Sequence, residues 1–494
     1  MLKLITLIAQ DGIGYQFIDE IISSSSMIDV YFSLDRKCVL ALYRDSIEQK
    51  KREILQDIIG SYQPLISQFA KGEYWKDIFN FPLGFVEWNG RFGVINPIYD
   101  KHYFFESGRF QGKEKEGKLF VSAKLRKKFL DVNQKGTWDN YFQMCLKIAQ
   151  MTKLLHQVGL VYSDLSYKTI LCDPLTGNAC FTSYHELIIL GNEFDCTEPT
   201  WDFIPPEVVK TKKSNKNLAY DNFPNKETNN HALAVLIYMF LLYRHPLRGG
   251  KVHAMDSTKD EELTMGEKAL FIEHPTDKSN RPKINQLHPL ELPQGDTNKL
   301  PYTICGPYLK ELFDKTFIEG LHNPVLRPTA EEWVIALSKT IDLLLPCKNS
   351  NCESKWFVFD NSMKPQCPFC GQKYHDKLPV LNFYYPTDNG DFKYENYRLM
   401  VYDNQCLHIW HINKLTTPEE RFLNENYAPV ANFYFSNGKW NLRNIRLDSL
   451  YDKDFNTKIE IGQSVELSEG KKILLSTEVG GRLIIVQLVN NIEV

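Results

Sequence analysis

The chain has 494 residues, 43% hydrophobic and 24% charged, which is enough for two to four domains with cores of their own. A formal charge of −3 leaves no electrostatic footprint for nucleic acid or for a membrane surface. Eleven cysteines scattered through a charged sequence fit free thiols in a reducing compartment. Residues 2–9 are apolar but few, and Asp11 follows without a small-residue cleavage site, so the cytoplasm is expected rather than secretion.

In chain order, residues 15–22 and 27–32 read as a hairpin whose turn is the serine run 23–26. Glycine there would let the backbone approach a phosphate. The hydroxyls of Ser25 and Ser26 can still donate hydrogen bonds, but their Cβ atoms crowd that approach. Residues 38–44 form a third strand, with Tyr43 and Arg44 on opposite faces, and Glu53 lies on the helix that follows. A basic run comes next: Lys113, Lys115, Lys118, Lys124, Arg126, Lys127 and Lys128. It reads as a solvated face, with an acidic partner as the alternative. Residues 138–158 carry Met144, Ile148, Met151, Leu154, Leu155 and Val158 at three- and four-residue spacing, a long helix stopping at Gly159. Short strands are expected at 169–172 and 179–182, around the turn 173–177. The apolar run 232–243 falls short of the roughly 20 residues a bilayer span needs and is expected as a buried helix.

Residues 160–171 (LVYSDLSYKTIL) resemble the catalytic loop of a protein kinase. That loop uses an aspartate to accept the substrate's proton and an asparagine five residues on to hold a metal ion. Here Asp164 is present and the metal position is Thr169. Asp164 reads as a residual proton acceptor or as a turn and capping residue. Residues 203–207 (FIPPE) resemble the close of a kinase activation segment, and Arg327 resembles the arginine that pairs with its glutamate, Glu207. The resemblance implies an α+β, bilobal kinase-like fold, with a small lobe over 1–100 and a large lobe over 101–345. It also implies Ser25 and Ser26 at the phosphate turn, Tyr43 in place of the nucleotide lysine, and Glu53 as that lysine's lost partner. Ser183 stands in place of the second metal-binding aspartate, with Glu186 as a displaced carboxylate. A serine hydroxyl is a weak magnesium ligand, so ATP and magnesium are left without their usual protein groups.

Residues 112–118, 163–168, 231–251 and 265–277 resemble more narrowly the kinase-like member of the bacterial tellurium-resistance-associated triad. That member accompanies a von Willebrand A protein and a metal-dependent protein phosphatase. Measured against the group, Ser25 replaces a glycine, Ile28 a lysine, Thr169 an asparagine and Asn229 an aspartate. The resemblance implies a pseudokinase serving as an interaction or regulatory subunit for those partners, docking through residues 245–251 with Arg248 and Lys251. Two other readings stay open: an unorthodox serine/threonine kinase using Asp164, and a nucleotide sensor that binds ATP without turnover.

Cys347 and Cys352, then Cys367 and Cys370, form two knuckles expected to hold a structural zinc ion in a ribbon over 346–376, with disulfide pairing as the alternative. Beyond residue 377, strand candidates at 398–402, 406–411, 430–435, 439–442, 463–467, 472–476 and 482–488 predict a β-sandwich over 378–494. Residues 438–442 resemble part of a forkhead-associated domain. The Gly-Arg and Ser-x-x-His pattern that reads phosphothreonine is not found, so a generic interaction module is expected.

Overall fold

The computed structural model describes residues 3–24, 28–45, 49–191, 199–214, 223–361 and 364–490. Strands β1 (Leu4–Ile8), β2 (Gly14–Ser24), β3 (Ile28–Ser33), β4 (Cys38–Tyr43), β5 (Gly84–Trp88) and β6 (Arg91–Pro97) form an antiparallel sheet in the order β1-β2-β3-β4-β6-β5, and the helix Gln49–Asp57 lies between β4 and β5 in the chain. β4 is buried at nearly every position, which is why it reads as an apolar run, whereas β3 alternates. Ile28 pairs with Tyr43 and Asp29 with Leu42, so Tyr43 shares one face with Ile28 while Asp29 lies on the other. β1 escaped the sequence reading. Its five residues alternate, turning Ile5 and Leu7 into a small core with Phe17, Leu40 and Ile95.

The larger lobe is mainly helical. Its two main helices are Trp138–Gln157 and Lys226–Leu242. Asn225 starts the second by accepting a hydrogen bond from the Thr228 amide (2.8 Å), and Tyr243, at φ 56°, ends it. Leu233, Val235, Leu236 and Ile237 point in different directions round that helix and all are fully buried, the pattern of a core helix. Among the described residues no helix is long and apolar enough to cross a membrane.

The basic run is not a uniform solvated face. Lys113, Lys118, Lys124 and Lys128 are exposed, but Lys115 is buried and paired with Asp173 at 2.8 Å, and Arg126 is buried as well. Periodicity could not show this, because an aliphatic stem lets a basic side chain enter a core when its head finds a partner.

Past the large lobe, the strand Leu344–Pro346 pairs with Trp356–Val358. The C-terminal part has two sheets, one of six strands beginning at Leu378–Pro386 and one of four built around Ala431–Ser436 and Lys439–Asn444. Leu381, Phe383, Ile484 and Val486 from the first and Phe433 and Leu442 from the second share one core. The expected strand at 406–411 is only Cys406–Leu407, followed by the helical turn Ile409–Ile412. That turn buries Trp410 and His411 at the junction with the large lobe.

At that junction Asp342 is fully enclosed by Arg421, Tyr397 (2.5 Å) and His411 (3.4 Å). Burial pushes its carboxyl pKa up, but Arg421 and then His411 outweigh that and hold it well below the usual range. Burial pushes His411 down to about 4, against the pull of Asp342, and burial holds His156 and His245 at about 4 too. These histidines are neutral in the fold, whereas the unfolded chain binds their protons from about pH 6.5 downward. Stability is therefore expected to fall as pH drops from about 6.5 to about 4, with the Asp342 contribution lost only below its ordinary pKa of about 4. Asp342→Ala leaves Arg421 buried and unpaired and is expected to cost about 3–5 kcal/mol. Urea midpoints across that pH range check both statements; flat midpoints, or a neutral effect of Asp342→Ala, would contradict them.

Candidate functional site

The segment 163–169 is held at both ends by short antiparallel pairs, Leu160–Tyr162 with Leu187–Ile189 and Ile170–Asp173 with Asn178–Phe181. From the core helix, Asn229 accepts from the Tyr162 amide (2.8 Å) and donates to the Tyr162 carbonyl (2.7 Å). A carboxylate could accept the first bond but not donate the second, so asparagine suits this position structurally.

Asp164 has both carboxylate oxygens engaged. Oδ1 accepts from the Thr200 amide at 2.9 Å and Oδ2 from the Thr200 hydroxyl at 2.7 Å. A void of about 10 Å³ beside it has room for no more than a single water. Thr169 does not face outward: it is buried, and its hydroxyl donates to the carbonyls of Asp164 and Ser166, both at 3.0 Å. Ser183 is half-buried with its hydroxyl 3.4 Å from that of Thr182, and its carbonyl accepts from the Tyr162 phenol at 2.6 Å. Glu186 accepts from the Ser163 hydroxyl. Both Asp164 oxygens and the Thr169 hydroxyl are thus engaged within the fold.

Tyr43 closes the other side. Its phenol lies 3.1 Å from His185 Nδ1, and the two rings meet edge to face at 6.2 Å. Burial pushes the phenol pKa well up, so it is neutral and supplies no charge. Glu53 is exposed and accepts from Gln49 at 2.8 Å instead of turning toward Tyr43. Arg44 lies on the opposite face, where Asp29 binds it (2.8 Å) together with Arg91 (2.8 Å) and Ser24 (2.8 Å). Arg44 first and Arg91 second hold Asp29 down to about 2. Ser25 and Ser26 lie outside the described residues. A magnesium nucleotide needs a cation beside its phosphates and two metal ligands, and the side chains at these positions do not fit it.

Two further pairs fix the outer segment. Arg327, with a fully buried side chain, donates to both oxygens of Glu207 at 2.7 Å and also to the carbonyls of Gly320 and Leu321. Arg248 donates to Asp202 (2.8 Å) and Glu261 (2.6 Å), and Asp202 also accepts from Tyr167 at 2.9 Å. Arg248 thereby braces the insertion against the 163–169 segment while its side chain stays 38% exposed. Lys251 is half-buried, with its backbone amide on Asn280.

The four cysteines come together. The sulfurs of Cys347, Cys352, Cys367 and Cys370 all lie within 4.8 Å of one another, with Cys347–Cys370 at 3.5 Å and Cys352–Cys367 at 3.9 Å. A disulfide needs about 2.05 Å, whereas a tetrahedral ion with metal–sulfur bonds near 2.3 Å sets sulfurs about 3.8 Å apart. Gly371 turns at φ +77° as the second knuckle closes. The Gln372 amide and neighbouring groups outweigh burial at Cys370 and bring its thiol to about 7, whereas burial pushes Cys347 up to about 11 and raises Cys367 as well, so a bound cation would itself have to draw those protons off. The arrangement is a closed set of four sulfurs with the spacing that a tetrahedral metal ion requires.

Sequence reasoning missed Thr200 and His185. Tyr43 and His185 are 142 residues apart and Asp164 and Thr200 are 36 apart, and no local pattern marks either pair.

No family model matches the chain, and no curated protein matches it. Among solved structures, the kinase domain of a Toxoplasma gondii specific rhoptry antigen aligns over 55% of this chain and 84% of its own, at 15% identity and a TM-score of 0.35. A rhoptry kinase from Toxoplasma gondii aligns over 69% and 86%, at 13% identity and a TM-score of 0.41.

Cys367→Ser is expected to abolish retention of one tightly held divalent ion per chain, read by elemental analysis of the purified protein; equal metal content in both would contradict the assignment. Glu207→Ala is expected to cost about 3–5 kcal/mol by urea unfolding, because it leaves the fully buried Arg327 guanidinium without its carboxylate. A change below about 1 kcal/mol, the range of a surface pair, would contradict it.

Proposed function

We propose that the chain is a kinase-fold pseudoenzyme, a two-lobed frame without phosphoryl transfer that serves as an interaction or regulatory subunit. The observation that carries this reading is the recommitment of the reactive positions. Tyr43 is bonded across to His185, while Thr200 takes both oxygens of Asp164. Catalysis of phosphoryl transfer is mostly positioning and electrostatic stabilisation. Losing one such group costs about 10²–10³ in rate by analogy with an oxyanion-hole donor, and the chain lacks several, although such losses do not add simply. The strand order β2-β3-β4-β6-β5, the helix after β4 and the Glu207–Arg327 pair support the kinase frame.

Zinc is the ion best suited to four thiolates in tetrahedral array, and with no open position its role is structural. The C-terminal sheets supply a β-sandwich interaction module. The resemblance to the tellurium-resistance triad makes a von Willebrand A protein and a metal-dependent protein phosphatase the partners, and a cytoplasmic setting suits the free thiols.

Thermal unfolding with and without millimolar ATP and magnesium is expected to show no shift, whereas a ligand at about a hundredfold its Kd adds about 2.7 kcal/mol. A magnesium-dependent shift would overturn the loss of nucleotide binding and favour the sensor reading. For the partners, sedimentation of the purified chain with each protein is expected to show a complex with Kd near or below about 1 μM; free components at that concentration would contradict the subunit role.

A further inference from the structure

Arg126 sits on the helix Ala123–Phe129 among lysines that face solvent, yet only 7% of it is exposed. Its guanidinium carbon lies 4.0 Å from the centre of the Tyr243 ring and 4.7 Å from that of Tyr141. Aromatic rings hold a guanidinium by its flat face and leave the N–H edge for other partners. Among the described residues that edge meets no carboxylate in an ion pair: the guanidinium reaches the Tyr243 hydroxyl, and its buried Nη1 has no hydrogen-bond acceptor. The nearest acid, Glu353, is half-exposed and pairs with Lys135 at 3.2 Å. Arg126 is charged at any physiological pH, so an acceptor is missing from its surroundings.

Arg126 borders a cavity of about 270 Å³ between the large lobe and the cysteine ribbon. Lys127 lines it too, with its ammonium on the Leu292 carbonyl and the Gln294 side chain, and Asn351 and Ser354 add polar groups from the ribbon. The volume sits just below the usual range for drug-sized ligands, which restricts the occupant to a small molecule. A cation would meet Arg126 and Lys127 together. Glu353, Cys352 and Cys370 line the same cavity; Glu353 acts on the guanidinium through space, and none of them meets Nη1 within hydrogen-bonding distance.

We propose that this cavity binds a small oxyanion, a phosphate or carboxylate group, taken by the Arg126 N–H edge with Lys127 as the second cation. Such a ligand touches the lobe and the ribbon at once, so its occupancy strengthens their junction. The site is separate from Asp164 and Tyr43 and does not depend on the kinase-like reading.

The test is thermal unfolding of the metal-loaded full chain with inorganic phosphate, sulfate or malonate, each raised to roughly 20 mM at ionic strength held constant with chloride. A rise in Tm with at least one oxyanion, absent in Arg126→Met and weakened about tenfold in apparent affinity by Lys127→Met, is expected. A stronger response to phosphate and sulfate assigns a phosphate group, and a stronger one to malonate a carboxylate. Phosphorus NMR or calorimetric titration of the wild type reads binding directly, and Lys127→Met keeps the test should Arg126→Met fail to fold. No response, or the same response in the variants, overturns the proposal and leaves the zinc–thiolate cluster as the distant counter-charge of Arg126.

Discussion

The helix Trp138–Gln157 is buried along almost its whole length, and that burial fixes the arrangement of everything around it. A polar group on such a helix costs about 1–3 kcal/mol when unmet, and Gln150 carries one such atom, its Oε1, beside the donors that do find partners. Trp138 donates to the Leu241 carbonyl (2.9 Å), setting the core helix Lys226–Leu242. Gln150 donates to the Tyr74 phenol (2.6 Å), reaching the segment beneath the small lobe. Lys153 pairs with Glu419 and, at 3.0 Å, with Glu331, tying in the segment beside the sandwich. At its start the Trp138 ring packs edge to face on Phe369 of the cysteine ribbon, 4.8 Å away. Apolar packing alone would tolerate small slips along this helix. The polar contacts do not, since a slip strands each donor.

With the frame held this way, the contrast at the cleft has a physical meaning. The hydrophobic and ionic contacts that support the body are dense, while the side chains around Asp164 and Tyr43 are used for cohesion. Tyr43 and His185 join the small lobe to the segment after Phe181, and Thr200 ties the outer segment to Asp164. Asn229 braces Tyr162 through an amide that both accepts and donates. At Tyr43 and Asn229 the bonds run between neutral groups of the fold, whereas Asp164 keeps its carboxylate and Thr200 meets both of its oxygens. A reactive site stores unmet polar groups; here the corresponding groups are met.

Features governed by local pattern were legible in the sequence. The helix Trp138–Gln157 follows from its apolar spacing, and the knuckles follow from the cysteines and Gly371. The short strands flanking the turn 173–177 follow from their apolar runs. Features set by distant partners were not. The five residues of β1 are too few for a periodic signal, and a leading apolar segment is ambiguous without its neighbour. The stretch 406–411 reads as strand from its apolar and aromatic residues, while the constraint on the turn Ile409–Ile412 is Asp342 in the preceding lobe. Arg126 and Lys115 looked like solvated charges because burial of a basic head depends on rings and acids supplied from elsewhere. The acids that Arg248 binds, Asp202 and Glu261, lie 46 and 13 residues away, beyond the reach of any local pattern.

The central claim is that phosphoryl transfer is gone while the frame persists. It is tested most directly by following transfer of the labelled γ-phosphate of ATP to the chain itself and to a generic protein substrate, with magnesium or manganese, beside Asp164→Ala. The account expects incorporation no higher in the wild type than in the variant. Incorporation that rises with time and disappears in Asp164→Ala would contradict it, and would mean that Thr200 releases Asp164 when a nucleotide arrives.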